Sequence, residues 1–258
     1  MSITHDYHVH SNYSDGEFLW KMLRGAEAAG LDAVGFADHC NVADRESMRL
    51  EKCQLGFTLD ETYERRRAAI ESFRDSFDLT VYDAVEMDYD PRDEARIEAF
   101  LDEADFDYAV ASVHHVGDRN VQSKGPFRDL SEAERRVVVD DYFDALVALA
   151  ESELFEVMAH PDLVERNPLL RGFATDDHYE RVAIALAGSR TVPELNAGRV
   201  LDDYGEFHPA PAFLEAILDH DVSVTVGSDS HRPEEVEKRV PVLKERFAEL
   251  DVEPVRIV

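Results

Sequence analysis

The chain has 258 residues, of which 44% are hydrophobic, so it is long enough to bury a substantial core. Its 56 Asp and Glu residues outnumber its 27 Lys and Arg residues and give a formal net charge of -29 at pH 7. Such a charge repels nucleic acid and anionic lipid at ordinary ionic strength, which argues against a nucleic-acid-binding or membrane-surface protein.

The basic residues include only five lysines. Abundant carboxylates with few lysines favour a protein from a salt-rich cytoplasm over an ordinary acidic protein, because molar salt shortens the Debye length to about 3 Å and screens the self-repulsion. The N-terminus lacks the basic and apolar regions of a signal peptide, and no run of about 18 apolar residues occurs, so we expect a cytoplasmic protein. Cys40 and Cys53 are too few for a disulfide framework and are expected to be reduced thiols.

Short apolar runs alternate with longer amphipathic segments along the whole chain. The apolar runs predict seven strands, at residues 6–10, 33–39, 81–88, 108–116, 155–160, 192–197 and 222–229. The amphipathic segments predict helices at residues 17–29, 59–77, 92–104, 131–151, 176–187, 210–220 and 234–250. Ser131 and Glu134 have the spacing of a capping box, and Pro241 predicts a kink or a break in the last helix.

This alternation predicts a single α/β domain over residues 1–258, with a parallel sheet flanked by helices, since no Gly/Ser-rich or Pro-rich linker offers a boundary. The sheet is either open and doubly wound or closed into a barrel, and the periodicity does not separate the two. No G-x-G-x-x-G sequence follows the first strand, which disfavours dinucleotide binding.

Six of the seven predicted strands carry a histidine or a carboxylate at or just after the carboxyl end. These residues are His8, His10, His39, Glu86, His114, His160, Asp229 and His231. Ligands gather at the carboxyl ends of the strands in open and closed α/β sheets, so we expect one shared site. Within H-V-H, positions i and i+2 point to the same side of a strand and present two imidazoles together.

A lone H-x-H pair is weak evidence, but core histidines have no reason to fall repeatedly at strand ends, so the set predicts metal binding. Imidazole and carboxylate ligands suit zinc, manganese or iron. Together with Asp15, in the loop after the first strand, these groups are too many for one ion of about four to six ligands. The sequence therefore predicts two or three divalent ions that share a bridging carboxylate.

The remaining histidines lack such a position and are expected to be solvated or locally hydrogen-bonded: His5, His115, His178, His208 and His220. His115 is an alternative to His114, because neighbours in a strand point opposite ways and only one of them faces the site. Two arginine clusters, at residues 65–67 and 135–136, lie in predicted helices and are expected to be surface ion-pair partners. Ser228, in G-S-D-S-H, does not fit the G-x-S-x-G nucleophile motif.

Seven segments, taken in chain order, resemble the PHP (polymerase and histidinol phosphatase) family. They are H-V-H-S-N-Y-S-D-G, A-D-H, V-E-M-D-Y, S-V-H-H, H-P-D-L, E-L-N-A-G and G-S-D-S-H. The resemblance extends from Asp6 to about His231. V-E-M-D-Y, F-D-Y-A-V-A-S-V-H-H and E-L-N-A-G are most similar to stand-alone histidinol-phosphate phosphatases, whereas S-D-G in the first segment is the general PHP form. The family implies a distorted seven-stranded (β/α)7 barrel with a trinuclear metal site.

The resemblance also implies how the ligands divide among three ions. One ion is held by His8, His10, Glu86 and Asp229, and Glu86 bridges it to a second ion. The second ion is also held by His114 and His160, and the third by Asp15, His39 and His231. We expect the catalytic set to be His8, His10, Glu86, Asp229 and His231.

We expect hydrolysis of a phosphate monoester, a small phosphorylated metabolite, with L-histidinol phosphate as the substrate and a hydroxide bridging two metal ions as the nucleophile. Arg199 and Arg166 are candidate phosphate ligands, and a surface salt bridge is the alternative for each. A PHP-type nuclease is disfavoured because the sequence has no basic groove, and an amidohydrolase because no lysine lies at a strand end. A non-catalytic metal-binding accessory module is disfavoured by the complete ligand set.

Overall fold

Apolar, β-branched runs form the strands of a parallel sheet in a computed structural model of the protein, which describes residues 3–258. Residues 1 and 2, at the start of the N-terminal stretch that lacks signal-peptide features, lie outside the described part. The strands are β1 (His5–Val9), β2 (Ala33–Cys40), β3 (Thr80–Asp88), β4 (Tyr108–Ser112), β5 (His115–Val116), β6 (Arg119–Asn120), β7 (Val157–Met158), β8 (Val192–Asn196) and β9 (Thr225–Gly227). Seven of them form one parallel sheet in the order β1-β2-β3-β4-β7-β8-β9, while β5 and β6 pair as a separate antiparallel hairpin.

The sheet closes through the backbone that follows β9. Asp229 N donates to His8 O at 2.8 Å, and His10 N donates to Ser230 O at 2.9 Å, which joins this backbone to β1. The strands therefore form a nearly closed seven-stranded barrel, as the resemblance implied, and the open doubly wound alternative is wrong. Closure brings the carboxyl ends of all seven strands to one rim.

Within residues 3–258, seven α-helices lie between strands and an eighth follows β9: α1 (Leu19–Ala28), α2 (Glu46–Leu55), α3 (Leu59–Phe73), α4 (Glu94–Ala104), α5 (Glu132–Glu151), α6 (Asp176–Ala187), α7 (Pro211–Asp219) and α8 (Pro233–Leu250). Their apolar faces pack against the barrel, as Met22 and Leu23 of α1 do with Val236 and Val240 of α8. Within residues 3–258, no helix combines the length and the apolar character needed to cross a membrane.

The barrel interior below the rim is filled by packed side chains. Ala84 alternates with Val85 along β3, so it lies on the same side as Glu86, and it packs there with Tyr7 and Tyr108. Tyr108 Oη donates to Tyr7 O at 2.6 Å, and a Cβ at position 35 in β2 would lie 1.6 Å from that hydroxyl, so only glycine fits there. The filled interior confines open space to the rim.

The predicted strands and helices are confirmed, with ends that differ by a few residues. The predicted strand 108–116 is shorter than expected, because β4 ends at Ser112 and the chain turns into the β5–β6 hairpin. The capping box is confirmed, since Ser131 N donates to Glu134 Oε2 at 2.8 Å and Glu134 N donates back to Ser131 Oγ at 3.3 Å.

Two helix predictions were incomplete or wrong. Helix α2 was not predicted, because it buries only Met48 among its ten residues and so has almost no apolar periodicity. Its one clear signal is Gly56, which ends the helix in the left-handed conformation at φ 77°. Helix α8 continues through Pro241, and the predicted break is wrong, because buried residues on both sides of the proline offset the roughly 3 kcal/mol cost of a proline inside a helix.

The prediction that arginines 65–67 are surface ion-pair partners is wrong for Arg66, whose side chain is fully buried. Its Nη1 donates to Asp38 Oδ2 at 2.9 Å and its Nη2 to Asp83 Oδ1 at 2.8 Å. The signal was present in the sequence, since Arg66 lies seven residues after Leu59 and four before Ile70, on the buried stripe of α3.

We expect Arg66→Ala to destabilise the protein by about 3–5 kcal/mol, because it leaves the Asp38 and Asp83 carboxylates without their buried cation. Arg65→Ala is the matched control, because Arg65 is exposed on the same helix, and its free energy of unfolding should stay within about 0.5 kcal/mol of the unmodified protein. Urea unfolding in molar salt measures both values. Equal stabilities for the two variants would contradict a buried structural role for Arg66.

Candidate metal centre

The barrel rim brings together all nine side chains that the sequence predicted as metal ligands. His8, His39 and Glu86 lie on β1, β2 and β3, and the other six lie in segments that follow strands β1, β4, β7 and β9. Those six are His10, Asp15, His114, His160, Asp229 and His231. Side chains that are up to 223 residues apart in sequence, from His8 to His231, thus face one volume.

The Glu86 carboxylate occupies the middle of this cluster and is fully buried. Five imidazole nitrogens lie within 3.6 Å of its two oxygens. Around Oε2 lie His39 Nδ1 at 2.7 Å, His8 Nε2 at 3.4 Å and His10 Nε2 at 3.6 Å, and around Oε1 lie His160 Nε2 at 3.1 Å and His114 Nε2 at 3.6 Å. A bridging carboxylate requires such a central position.

Three groups of donor atoms are close enough to hold an ion, with all atoms of a group within 4.8 Å of one another. The groups are His10, Asp15, His39 and His231; His8, His10 and Asp229; and His39, Glu86 and His114. His10 and His39 each occur in two groups, whereas the resemblance gave each of them to a single ion. The division of ligands among ions stays a prediction.

The chemistry of the buried donor atoms fits divalent cations. Glu86 Oε2 has no hydrogen-bond partner of good geometry, although His39 Nδ1 lies 2.7 Å away. His8 Nε2 and His10 Nε2 face each other at 3.2 Å, and the rings of His10 and His231 stack with centroids 4.1 Å apart. Lone pairs that converge on a common volume, with a carboxylate oxygen among them, suit zinc, manganese or iron.

The electrostatics of the cluster also suit cation binding. Burial, with neighbouring imidazoles, lowers the pKa of His10 to about 4, and burial lowers the pKa of His160 to about 4 against the effect of Glu86. Burial alone would lower the pKa of His39, but the Glu86 carboxylate and other nearby carboxylates outweigh it and raise this pKa to about 10. Neighbouring carboxylates also outweigh burial at His8, His114 and His231 and raise the pKa of each imidazole. At neutral pH the cluster therefore presents neutral imidazoles, at His10 and His160, together with protonated imidazoles, at His8 and His39, that must release a proton to bind a cation.

Carboxylates behind the cluster fix the orientation of its imidazoles. His8 Nδ1 lies 3.0 Å from both carboxylate oxygens of Glu194, which directs His8 Nε2 at the site. His114 Nδ1 is held in the same way by Asp88. Glu194 and Asp88 were not predicted as site residues, although both lie in quoted segments, because their role depends on which residues they contact in three dimensions.

The loop that carries His10 and Asp15 is held in place by Asp38. The Asp38 carboxylate accepts hydrogen bonds from Ser11 N at 2.6 Å, Ser11 Oγ at 2.7 Å and Ser14 Oγ at 2.8 Å. Asp38 also accepts a hydrogen bond from Arg66, so the buried ion pair directly contacts the loop that carries His10 and Asp15.

A cavity of about 430 Å³ opens above the cluster and is lined by four arginines, which is unusual in so acidic a chain. These are Arg166, Arg199, Arg232 and Arg239. Arg166 is 10% exposed and its Nη2 lies 3.3 Å from Asp229 Oδ2, so the alternative of a surface salt bridge is wrong for it. Arg199 is 51% exposed and pairs with Asp202 at 3.1 Å at the cavity edge.

A second cavity, of about 200 Å³, adjoins the first and shares Asp15, His39, His114 and Gln122 with it. Its other lining residues are apolar or uncharged, apart from Glu51 and Lys52 of α2, Asp88 and His115. His115 does not join the cluster, and its Nε2 contacts Glu51 at 3.0 Å. Of the pair His114 and His115, His114 is therefore the one that faces Glu86.

Three histidines contradict the expectation of solvated or locally hydrogen-bonded side chains, and one of them is His115, whose partner Glu51 is 64 residues away in sequence. His5 is buried, and within residues 3–258 neither of its ring nitrogens makes a hydrogen bond of good geometry. His208 is fully buried and contacts Asp162 and Arg166, which are more than 40 residues away in sequence. Sequence spacing carries no information on such tertiary contacts.

We expect His10→Ala to bind fewer zinc ions per chain than the unmodified protein, because His10 contributes to two of the three donor groups. His220→Ala is the control, because His220 lies on the surface and contacts only Glu180 among the described residues. Zinc content after reloading and gel filtration, with circular dichroism to check folding, measures the effect. An unchanged zinc content in a folded His10→Ala protein would refute the metal centre at this rim.

The sequence of the chain is similar to that of a known protein family. The PHP domain family model matches residues 6–194. The probable histidinol-phosphatase of Deinococcus radiodurans is 26% identical over 221 residues, which cover 84% of this chain and 81% of that protein. The histidinol-phosphatase of Lactococcus lactis subsp. lactis (strain IL1403) is 28% identical over 236 residues, which cover 88% of this chain and 83% of that protein.

A solved structure shares the fold. The solved structure of a histidinol phosphate phosphatase from Lactococcus lactis subsp. lactis Il1403, complexed with zinc, L-histidinol and phosphate, matches with a TM-score of 0.75 at 21% identity. The match covers 98% of this chain and 96% of that one, so the barrel is common to both along its length. Since the family model also spans well over half of the sequence, the chain belongs to the PHP domain family.

Proposed function

We propose that the protein is a metal-dependent phosphatase that hydrolyses L-histidinol phosphate to L-histidinol and phosphate. The observation that carries the proposal is that six of the nine predicted ligands and the largely buried Arg166 side chain line one cavity. The names of the two curated relatives, and the zinc, L-histidinol and phosphate held by the solved neighbour, support the same activity.

The nine rim residues would hold two or three divalent ions, zinc, manganese or iron. When bound, these ions activate water as the nucleophile and neutralise charge on the phosphoryl oxygens. The chain supplies the geometry: Glu86 links the imidazoles on its two sides, and Glu194 and Asp88 keep the rings of His8 and His114 in place.

Arg166 provides the cationic contact for the phosphate group. It faces the 430 Å³ cavity with its guanidinium close to Asp229, and a guanidinium matches phosphate oxygens in charge and shape. Arg199 lies at the exposed cavity edge, so it attracts the phosphate dianion electrostatically more than it fixes the position of the phosphate group. The phosphate of the substrate would therefore lie between the rim residues that hold the ions and Arg166.

The 200 Å³ cavity beside the cluster fits the organic part of the ester. Met48, Leu55 and Phe57 form apolar walls, and the Phe57 ring stacks on His39 with centroids 4.7 Å apart. The Glu51 carboxylate, oriented by His115, offers an anionic partner to a positively charged group. An aromatic ring with an ammonium group, as in L-histidinol, satisfies both features.

The activity is tested on zinc-loaded and manganese-loaded protein, in low and in molar salt because the composition predicts a salt-rich environment. The substrates are L-histidinol phosphate, an aryl phosphate and single-stranded DNA. We expect turnover of L-histidinol phosphate that disappears on chelation of the metal, and no cleavage of DNA. Cleavage of DNA with neither monoester hydrolysed would replace the proposal with a nuclease, and no hydrolysis of any substrate would leave a metal-binding module.

We expect Glu51→Gln to raise the KM for L-histidinol phosphate about tenfold, because the variant loses the anionic partner but keeps the shape of the pocket. The KM for an uncharged aryl phosphate should not change. Glu46→Gln is the matched control, since Glu46 is exposed on the same helix. Equal increases in KM for both substrates would show that Glu51 does not select the cationic group.

A further inference from the structure

His208 and Asp162 form a buried pair behind Arg166. Both side chains are fully buried, and His208 Nδ1 is hydrogen-bonded to Asp162 Oδ1. On the other side of the ring, Arg166 Nε lies 2.9 Å from His208 Nε2. The result is a chain of contacts from a carboxylate, through an imidazole, to a guanidinium that faces the phosphate cavity.

The proton positions in this chain follow from chemistry. A guanidinium always carries its protons, so Arg166 Nε donates and His208 Nε2 accepts. The ring proton is then on Nδ1, where it is donated to Asp162. Asp162 is itself held by Ala210 N, which donates to its Oδ2 at 2.7 Å. The tautomer of His208 is therefore set by Asp162, as in other carboxylate–histidine pairs.

The His208 ring has little freedom to move. Its backbone is bonded to β8, because Asn196 N donates to His208 O at 2.7 Å and His208 N donates to Asn196 O at 3.1 Å. One face of the ring stacks on Tyr204, with centroids 5.0 Å apart and planes inclined by 8°. A rigid acceptor is thus presented to Arg166.

We propose that His208, fixed by Asp162, is a positioning residue that turns the Arg166 guanidinium so that its Nη1 edge binds the phosphate of the substrate. Nε is directed at His208, and Nη2 at Asn196 Oδ1, 3.4 Å away, and Asp229 Oδ2. Within residues 3–258, Nη1 has no hydrogen bond to protein and is left for a ligand. The phosphate role of Arg166 rests on the proposed function.

Two substitutions at position 208 separate positioning from packing. His208→Gln places an amide oxygen near the position of Nε2 and can still accept from Arg166, whereas His208→Asn places an amide near Nδ1 and can reach Asp162 only. We expect His208→Asn to weaken binding of inorganic phosphate to the zinc-loaded protein about tenfold, with His208→Gln close to the unmodified protein. Calorimetry measures phosphate binding, and zinc content and thermal melting are recorded for each variant.

A double-mutant cycle identifies Arg166 as the residue through which His208 acts. In an Arg166→Ala background, His208→Asn should cause no further loss of phosphate affinity. An equal loss in both backgrounds would overturn the proposal. Unchanged affinity in His208→Asn, or equal losses in His208→Asn and His208→Gln that follow a lower melting temperature, would overturn it as well.

The outcome does not depend on which ester the enzyme hydrolyses. If no phosphate monoester is turned over, the proposed function fails, but the phosphate affinities of the variants still decide the role of His208. If L-histidinol phosphate is hydrolysed and His208→Asn binds phosphate normally, the proposed function stands and the positioning role is refuted.

Discussion

The structure of the rim depends on one buried carboxylate, Glu86, surrounded by imidazoles. A carboxylate removed from water is costly unless positive charge or hydrogen bonds compensate it, and here protonated imidazoles or metal ions must do so. This requirement explains why histidines approach Glu86 from several strands and why its pKa lies well below the ordinary value despite burial, which acts in the opposite direction. The barrel is the framework that can deliver side chains from so many strands to one point.

Polar pairs behind the ligands extend this organisation outward. Glu194 and Asp88 hold imidazoles, Asp38 holds the loop after β1, and Asp162 acts through His208 on Arg166. Each pair uses a carboxylate to fix a group that faces the cavity, so the acidic composition has a structural use inside the protein as well as on its surface. Arg66 provides the counter-charge for Asp38, whose carboxylate is fully buried.

Much of the candidate site could be predicted because each candidate ligand is recognised by its residue type and its position near a strand end. Eight of the nine predicted ligands are histidines and carboxylates at strand ends, and alternation along H-V-H places His8 and His10 on one side. Asp15 lies in the loop after the first strand. Helix α2, the walls of the smaller cavity and His208 were not predicted, because local sequence carries little signal for any of them. Helix α2 has little apolar periodicity, and the contacts of His208 join residues more than 40 positions apart.

The sequence by itself determined the alternation of strands and helices, the family resemblance and the candidate ligands, because these depend on periodicity and on residue type at strand ends. Tertiary structure decided that the sheet closes, since closure depends on backbone hydrogen bonds between β1 and the segment after β9. It also decided that Arg166 faces the cavity while Arg199 lies at its exposed edge. Two arginines that look alike in sequence differ because Arg166 contacts His208 and Asp229 inside the cavity, whereas Arg199 pairs with Asp202 near the surface.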